Sequence, residues 1–254
     1  IPCPATYFPA DSADIVRISR EIEYPAVIKV RRGSTARGVE YAASPQELID
    51  RYERLAGIQE RPIIQEYIRG QGYGAFAIYN RDSKPRAVFV HRRLREYPIS
   101  GGPCTYCESV ENGEILQYGL KLLDALKWYG IAMVEFKLDQ KDGVPKLIEV
   151  NPRFWGSMSL AIHPGVDFPY LLYRLAVDGD IEPAGEYAAG IRTRFVLQDI
   201  IACMHYFRKT RDVRYLKEIV GPFFDRDVKF GIFSADDPMP AFHYGVQGLS
   251  RYLR

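Results

Sequence analysis

The sequence has no apolar run long enough to span a bilayer, no signal-peptide pattern, no internal repeat and no low-complexity segment. Four cysteines in 254 residues are too few for the disulfide framework of a small secreted domain. Neither sign of charge dominates, because 34 lysine and arginine residues balance 32 aspartate and glutamate residues and leave a net charge of +2. This balance gives no support to a nucleic-acid or membrane partner. These absences leave a soluble cytoplasmic protein as the expected class.

The composition is that of a folded chain with a substantial interior. Hydrophobic residues make up 47% of the sequence and aromatic residues 13%, with tyrosine at 18 positions. A chain of this size forms one large domain or two small ones. It begins at Ile1 without a methionine, so we expect a fragment or one piece of a split protein, with an N-terminal domain or a partner chain missing. A homo-oligomer is left open.

Helix and strand patterns are mixed along the chain. Strands are predicted at 25–30, 39–42, 62–68, 75–80, 86–94, 105–110, 131–138 and 144–150. Helices are predicted at 11–22, 44–55 and 114–126, and after Trp155 and Asp167. Gly70, Gly72 and Gly74 are expected to end the third strand. A break near 179–185 is the expected start of a tail that is rich in tyrosine and phenylalanine.

The most informative segment is the hairpin predicted from the last two strands. If Lys141–Gly143 is a three-residue loop, the register sets Glu135 directly across from Glu149. Two carboxylates opposed on a sheet lie about 5 Å apart at Cβ, and such like charges destabilise the pair unless something compensates them. A divalent cation is the natural compensation.

The residues that follow Glu149 strengthen this interpretation. Carboxylate oxygens together with the amide oxygen of Asn151 make a hard site that suits Mg²⁺, with Mn²⁺ as a substitute. Arg153 adds a planar cation that could hold a phosphoryl group or a developing oxyanion. The alternative is an ordinary solvated polar strand face, on which Lys137 neutralises one of the glutamates.

A second set of candidate residues points to phosphate binding. Lys29 lies inside an otherwise apolar strand, which is a costly place for an ammonium group without a partner, and an anion would supply one. The segment Arg31–Gly38 follows directly and is rich in backbone and hydroxyl donors, as a loop covering phosphates needs to be. It matches neither the Walker pattern nor the dinucleotide fingerprint, and an exposed hairpin turn is the alternative.

The basic strand end His91–Arg95 is the candidate for the acceptor side, together with the Gly101–Gly102 loop. Alternation places Arg93 and Arg95 on one face, where they could hold an anionic carboxylate. A solvated basic edge strand is the alternative. The spacing of Cys104 and Cys107 is not taken as a metal or redox site, because no second cysteine pair or histidine cluster completes it and alternation puts the two thiols on opposite faces.

Taken in order, these segments resemble the ATP-grasp superfamily, nearest its carbamoyl-phosphate-synthase-like carboxylate–amine ligases. The resemblance covers roughly residues 1–180 and rests on five segments: Pro25–Lys29, the Gly33–Gly38 loop, Ile64–Ile68, Val134–Phe136 and Ile148–Arg153. It implies an α+β ATP-grasp fold in which two α+β lobes hold ATP between antiparallel sheets. The expected division is an N-terminal lobe at 1–70, a C-terminal lobe with the metal site at 71–182, and an extension of unknown role at 183–254.

The resemblance also implies roles for individual residues. The chain around Glu66 to Ile68 would hold adenine through its backbone. ATP would be bound through these residues of the first lobe: Lys29, Gly33, Ser34, Arg37, Gly38, Gln65, Glu66, Tyr67 and Ile68. Glu135, Glu149 and Asn151 would bind magnesium, and Arg153 would stabilise the transferring phosphoryl group. Arg93 is the catalytic candidate on the acceptor side.

Two positions depart from the family pattern. Gln65 stands where many members have a glutamate at the start of the adenine strand, and Gly72 stands where many have a glutamate that binds ribose. No ribose contact is therefore predicted. The expected activity is an ATP- and magnesium-dependent ligase that activates a carboxylate as an acyl phosphate for attack by an amine. A kinase-like phosphotransferase, and the ATP-binding subunit of a carbamoyl-phosphate-synthase-like complex, are the alternatives.

Overall fold

Short strands and amphipathic helices build the first seventy residues. The computed structural model describes residues 1–32, 38–99, 101–233 and 236–244. The helices of this part are α1 (Ser12–Glu21) and α2 (Pro45–Ala56), and its strands are β1 (Thr6–Tyr7), β2 (Ala26–Lys29), β3 (Val39–Ala42) and β4 (Ile63–Glu66). Within the described residues, these strands form a four-stranded sheet in the order β1-β4-β2-β3.

Both helices begin where the sequence predicts, because their capping residues satisfy free backbone N–H groups. The Asp11 carboxylate accepts the N–H of Asp14, and the Ser44 hydroxyl accepts the N–H of Glu47 ahead of a proline in the first turn. Apolar residues at helical spacing turn one face of each helix toward the sheet and form a core cluster with it: Ile15, Ile18, Leu48, Tyr52, Leu55, Ile28 and Ile64.

A larger sheet follows. Its strands are β5 (Gly70–Tyr79), β6 (Pro85–Glu96), β7 (Cys104–Ser109), β8 (Gly130–Asp139), β9 (Pro145–Asn151), β10 (Arg192–Arg194) and β11 (Val228–Phe230). In the described part of the chain its order is β11-β10-β7-β6-β5-β8-β9. The helices are α3 (Gly113–Ala125), α4 (Ser159–Ile162), α5 (Phe168–Asp178), α6 (Val196–Thr210) and α7 (Arg214–Val220), followed by a 3₁₀ helix at Gly221–Phe224.

The core beneath this sheet is aromatic. The Trp155 ring lies 4.1 Å from that of Phe76 and 5.1 Å from that of Phe168, and the two phenylalanines belong to one buried cluster with Phe89. Because Trp155 follows the Asn151–Arg153 segment directly, its burial anchors that segment to the core.

The chain forms two compact units. One consists of Ile1–Gly70 with Lys137–Ile148, and the other of Gln71–Phe136 with Glu149–Arg254. The sequence predicts three consecutive segments instead, because periodicity cannot show that the tip of a hairpin packs with an earlier part of the chain. The region beyond 183 is not a separate unit, since β10 pairs with β7 and β11 pairs with β10.

Two local predictions are wrong. Gly70, Gly72 and Gly74 lie inside strand β5 rather than ending the strand before it. The hairpin connection is longer than three residues, because β8 ends at Asp139 and β9 begins at Pro145. The Asp139 carboxylate accepts the N–H of Lys141, and the Asp142 carboxylate accepts the N–H of Val144, so the turn is built on side-chain oxygens that periodicity does not reveal.

Candidate functional site

An acidic cluster lies where β8 and β9 run side by side. The Asn151 Nδ2 group donates to Glu149 Oε1 at 2.7 Å and to Glu135 Oε1 at 3.3 Å, so one amide holds both carboxylates. Glu135 comes from β8, whereas Glu149 and Asn151 come from the end of β9. The structure therefore brings together the three side chains that the sequence proposes as metal ligands.

Burial makes Glu135 an unusual carboxyl. Its side chain is 16% exposed, and burial raises its pKa to about 7, with nearby Glu149 adding to the rise and Arg93 opposing it. Burial thus penalises the charged form of Glu135, and a cation bound beside it would stabilise that form.

Arg153 extends the cluster toward solvent. Its Nη2 group donates to Asn151 Oδ1 at 2.9 Å, and its Nη1 group donates to the Phe154 carbonyl at 3.0 Å. The guanidinium is thus held in a fixed orientation beside Asn151 while its residue stays exposed. A cation in this position could bind an anionic group that approaches Glu135, Glu149 and Asn151.

Arg93 reaches the cluster from the opposite side by crossing strand β5. Its Nη2 group pairs with Glu135 Oε2, although Arg93 lies on β6 and Glu135 on β8. A Cβ atom at Gly72, in the strand between them, would lie 3.0 Å from Arg93 Cδ. The missing side chain at Gly72 makes room for Arg93. From the sequence, we identify Gly72 only as a departure from the ATP-grasp pattern. A glycine within a strand often marks a place where another part of the protein packs closely against the backbone.

The residues of this cluster fit a magnesium ion. The two carboxylates are hard oxygen donors, and Mg²⁺ typically takes its other ligands from phosphate and water oxygens. The Asn151 amide oxygen, which accepts a hydrogen bond from Arg153, would become a third donor if the amide turned to face the carboxylates. No group of three or more histidine, cysteine, aspartate or glutamate side chains that could hold a metal occurs among the described residues.

Arg95 is not available to a substrate, contrary to the sequence prediction. Its Nε and Nη2 groups donate to the two carboxylate oxygens of Asp199 at 2.7 and 2.8 Å, and its Nη1 group donates to Glu218 at 3.0 Å. The strand pairing shifts register at Arg93/Arg95, so the simple alternation on which the prediction depends is interrupted. The sequence gives no signal for Asp199, which lies more than a hundred residues away.

The first unit contains the nucleotide candidates. Lys29 ends β2 opposite Val39 and Ile63. Gly33, Ser34 and Arg37 lie outside the described residues. Gly38 has a φ of 85°, and its carbonyl accepts the N–H of Val30 at 2.9 Å. A positive φ at this position favours glycine, which explains the residue that closes the predicted loop.

The predicted adenine segment is tied to strand β1. The Gln65 amide donates to Thr6 Oγ1 at 2.9 Å, and Glu66 Oε2 accepts the N–H of Ala5 at 3.2 Å. The Glu66 N–H donates to the Ala5 carbonyl at 2.8 Å. The side chains of Gln65 and Glu66 and the N–H of Glu66 are therefore engaged in hydrogen bonds to β1 and the residue before it.

Tyr67 and Ile68 continue the same segment. The Tyr67 ring packs edge-on against Tyr41 with ring centroids 5.6 Å apart, Lys137 lies 5.2 Å from its centre, and Ile68 is buried. Their backbone groups are the part of the segment that is proposed to face adenine.

Cys104, Cys107 and His91 lie in the core of the second unit. Cys104 and Cys107 pack against the same core cluster rather than on opposite faces, because the register shift interrupts the alternation. His91 is fully buried, with Nδ1 3.4 Å from Ser157 Oγ and its ring 4.7 Å from that of Phe76. Its Nε2 atom has no hydrogen-bond partner within the described residues. Burial lowers the pKa of His91 well below its usual value, and Arg93 adds to this.

Comparison with known proteins identifies the fold and the family of the chain. The solved structures that the chain resembles define its fold as ATP-grasp, which confirms the α+β prediction. A family model described as "ATP-grasp in the biosynthetic pathway with Ter operon" matches residues 59–198, more than half of the chain, and the chain belongs to this family.

Individual relatives are more distant. A D-alanine--D-alanine ligase from Anaplasma marginale (strain Florida) is 24% identical over 149 residues, which cover 54% of this chain and 43% of that protein. The biotin carboxylase domain of Hydrogenobacter thermophilus 2-oxoglutarate carboxylase, in complex with MgADP, ADP and bicarbonate, matches with a TM-score of 0.62 at 19% identity, over 76% of this chain and 46% of that one.

N5-carboxyaminoimidazole ribonucleotide synthetase from Thermotoga maritima matches with a TM-score of 0.56 at 19% identity, over 76% of this chain and 48% of that one. The chain therefore spans less than half the length of these relatives. None of the helices in the described residues is both long enough and apolar enough to cross a membrane.

Proposed function

We propose that this protein is an ATP- and magnesium-dependent carboxylate–amine ligase. The observation that carries the proposal is the cluster in which Asn151 holds Glu135 and Glu149, with Arg93 and Arg153 on either side. Cations beside paired carboxylates suit phosphoryl transfer, which depends on positioning and charge neutralisation rather than on a protein nucleophile.

The residues of the first unit have nucleotide roles in this proposal. Lys29 and the loop 33–38 bind the phosphates of ATP, Gln65 contributes to the same nucleotide site, and the backbone around Glu66 to Ile68 holds adenine. Glu135, Glu149 and Asn151 hold Mg²⁺ or Mn²⁺, which when bound neutralises phosphate charge. Support comes from the H. thermophilus relative, which is in complex with MgADP and ADP.

The reaction has two steps. A carboxylate oxygen of the substrate attacks the γ-phosphorus of ATP, the bond to the β-phosphate oxygen breaks, and ADP leaves. The amine then attacks the acyl carbon, inorganic phosphate leaves with the electrons of the C–O bond, and the amine loses a proton. Arg93 holds the carboxylate before the first step, and Arg153 stabilises the charge on the transferring phosphoryl group.

The names of relatives support the reaction class. They include a D-alanine--D-alanine ligase and a carboxyaminoimidazole ribonucleotide synthetase. The carbamoyl-phosphate-synthase-like grouping and the cytoplasmic location belong to the same proposal. The four free thiols, at Cys3, Cys104, Cys107 and Cys203, agree with a reducing compartment. A partner chain or further domain that contributes to the acceptor site stays a prediction from the sequence.

A phosphate-release screen tests the proposal. The chain is incubated with Mg·ATP and pairs of acids and amines, beginning with D-alanine and bicarbonate, which the names of the relatives contain. A ligase releases phosphate and forms an amide only when acid and amine are both present. A stable phosphorylated product without an amine would instead identify a kinase-like phosphotransferase.

The screen needs two control variants. Glu149→Gln should abolish phosphate release, whereas Glu186→Gln, at an exposed position away from the cluster, should leave it unchanged. Equal release by the wild type and the Glu149→Gln variant would contradict the proposal.

A further inference from the structure

Side chains of helix α6 contact successive residues at the end of strand β6 and just after it. Asp199 accepts two hydrogen bonds from Arg95, one from Arg194 Nε at 2.6 Å and one from Thr105 Oγ1 at 3.1 Å. Asp199 and Arg194 are fully buried, and Arg95 is 7% exposed. A buried carboxylate bound on both oxygens fixes its partners in one geometry.

Glu96, the last residue of β6, and Tyr97, the residue after it, contact the same helix. The Tyr97 ring packs edge-on against His205 with ring centroids 5.1 Å apart. The Tyr206 hydroxyl faces the backbone of Glu96, and its ring stacks on Tyr215 of α7 at 5.0 Å. Three consecutive residues, 95–97, are therefore each held by α6.

The loop that follows β6 leads into β7, and the start of β7 is bound by residues 193–195, which directly precede α6. The Phe195 N–H donates to the Thr105 carbonyl at 2.9 Å, and Thr193 pairs with Cys107 across β10 and β7. Inside the loop, the Tyr97 N–H donates to the Pro103 carbonyl at 3.1 Å. Both ends of the loop are thus attached to residues 193–206.

This attachment lies next to the acceptor candidate. Arg93 is two residues before Arg95, and its Nη1 group lies 3.8 Å from Glu96 Oε2. A shift in the backbone of residues 95–97 would therefore displace Glu96 and change the surroundings of Arg93, which pairs with Glu135. The match to the family ends at residue 198, so Asp199, His205 and Tyr206 all follow the matched region.

We propose that α6 is a positioning element for the acceptor side of the site, with Asp199 and His205 as positioning residues that fix β6 and the loop residues 97–99 and 101–103 beside Arg93. This inference rests on the proposed function, in which Arg93 binds the carboxylate substrate on the acceptor side. It assigns a role to residues 193–206 of the extension, which fix the position of Arg93, the residue proposed to hold the carboxylate substrate, and it leaves nucleotide binding to the rest of the chain.

Hydrogen exchange and arginine labelling of the full chain test the proposal. In His205→Ala, amide exchange in 95–99 and 101–104 should rise about 10-fold, while exchange in β8 stays as in the wild type. Phenylglyoxal should modify Arg93, which is 17% exposed, several times faster, with Arg17, which is 54% exposed, as internal standard. Asp199→Asn should produce a larger change of the same kind.

Met204→Ala is the matched control, because Met204 neighbours His205 on α6 and is 40% exposed. It should change neither readout. Adding Tyr97→Ala to His205→Ala should give no further effect, because the two residues act through one contact. Unchanged exchange in His205→Ala, or a uniform rise over the whole chain, would overturn the proposal.

A titration with Mg·ADP separates this inference from the proposed function. Wild type, His205→Ala and Met204→Ala should bind Mg·ADP with affinities within about 2-fold of one another. A wild type that does not bind Mg·ADP would refute the proposed function, whatever the exchange data show. A loss of binding in His205→Ala alone would overturn the assignment of α6 to the acceptor side.

Discussion

At the scale of single residues, charge at the candidate site is shared among a few side chains that hold one another in place. Asn151 joins Glu135 to Glu149, Arg93 pairs with Glu135, and Arg153 holds the amide oxygen of Asn151. Each of these contacts depends on where a strand ends or on a missing side chain. The site is therefore sensitive to small changes of shape.

Gly72 is one such position. Gly72→Ala places a methyl group 3.0 Å from Arg93 Cδ, so the Arg93 side chain, which pairs with Glu135, must shift by a few tenths of an ångström. We expect a loss of about 1–3 kcal/mol in the free energy of unfolding, as for other overpacked sites, together with a loss of phosphate release. Urea denaturation and the phosphate assay measure the two effects.

Gly113→Ala is the control for this substitution. Gly113 begins α3, and a Cβ atom there meets no atom within 4 Å. This variant should be as stable as the wild type or slightly more stable, because alanine favours helix. If both glycine variants behaved alike, Gly72 would have no special relation to Arg93.

His91 gives a prediction about pH. The folded chain keeps His91 neutral, because burial lowers its pKa well below the usual 6.5, whereas the unfolded chain takes up a proton there below pH 6.5. The unfolded state thus binds more protons, so stability falls as pH falls below 6.5, by up to about 1.4 kcal/mol per pH unit. Unfolding at a series of pH values measures this slope.

His91→Gln removes the titrating group and should flatten the curve between pH 6.5 and 5. His243→Gln, at an exposed position, should keep the wild-type slope. An unchanged slope in His91→Gln would show that other groups cause the loss of stability in acid.

The sequence predicts the residues of the candidate site more reliably than the residues that hold neighbouring side chains in place. Glu135, Glu149, Asn151 and Arg153 are found because alternation and short spacing bring them to one place, and the structure does bring them together. The partner of Arg95 is not found, because Asp199 is brought to it only by tertiary packing.

At the scale of helices and strands, caps and alternation account for most boundaries. Helices α1 and α2 begin after Asp11 and Ser44, as their capping residues indicate. The secondary structure of the extension beyond residue 183 could not be predicted from the sequence. Helix α7 has no buried residue, and strands β10 and β11 have three residues each. Elements of this kind are stabilised by their neighbours rather than by their own periodicity.

Helix α6 gives a prediction about stability. Asp199→Asn removes the buried carboxylate that Arg95 and Arg194 share, and Arg95 keeps its pair with Glu218, so we expect a loss of about 3–5 kcal/mol in the free energy of unfolding. Urea denaturation measures it. Asp178→Asn makes the same chemical change in the exposed pair with Arg174 and should leave the denaturation midpoint unchanged. Equal losses in both variants would contradict the assigned role of Asp199.

At the scale of the whole molecule, the chain consists of two units, each with its own part of the expected chemistry. Lys29 and the segment Gln65–Ile68 belong to the first unit, whereas the acidic cluster and both candidate arginines belong to the second. The family match covers 59–198 and so includes residues of both units. We expect the acidic cluster to make nucleotide binding depend on magnesium.

Calorimetric titration with ADP, with and without Mg²⁺, tests this claim most directly. The wild type should bind ADP at least 10-fold more tightly with Mg²⁺ than without it, and Glu149→Gln should lose most of this difference, because it removes a carboxylate from the cluster while keeping its size. Glu186→Gln should bind as the wild type does. ADP affinity that is independent of Mg²⁺ in the wild type, or a magnesium effect that is undiminished in Glu149→Gln, would contradict the account.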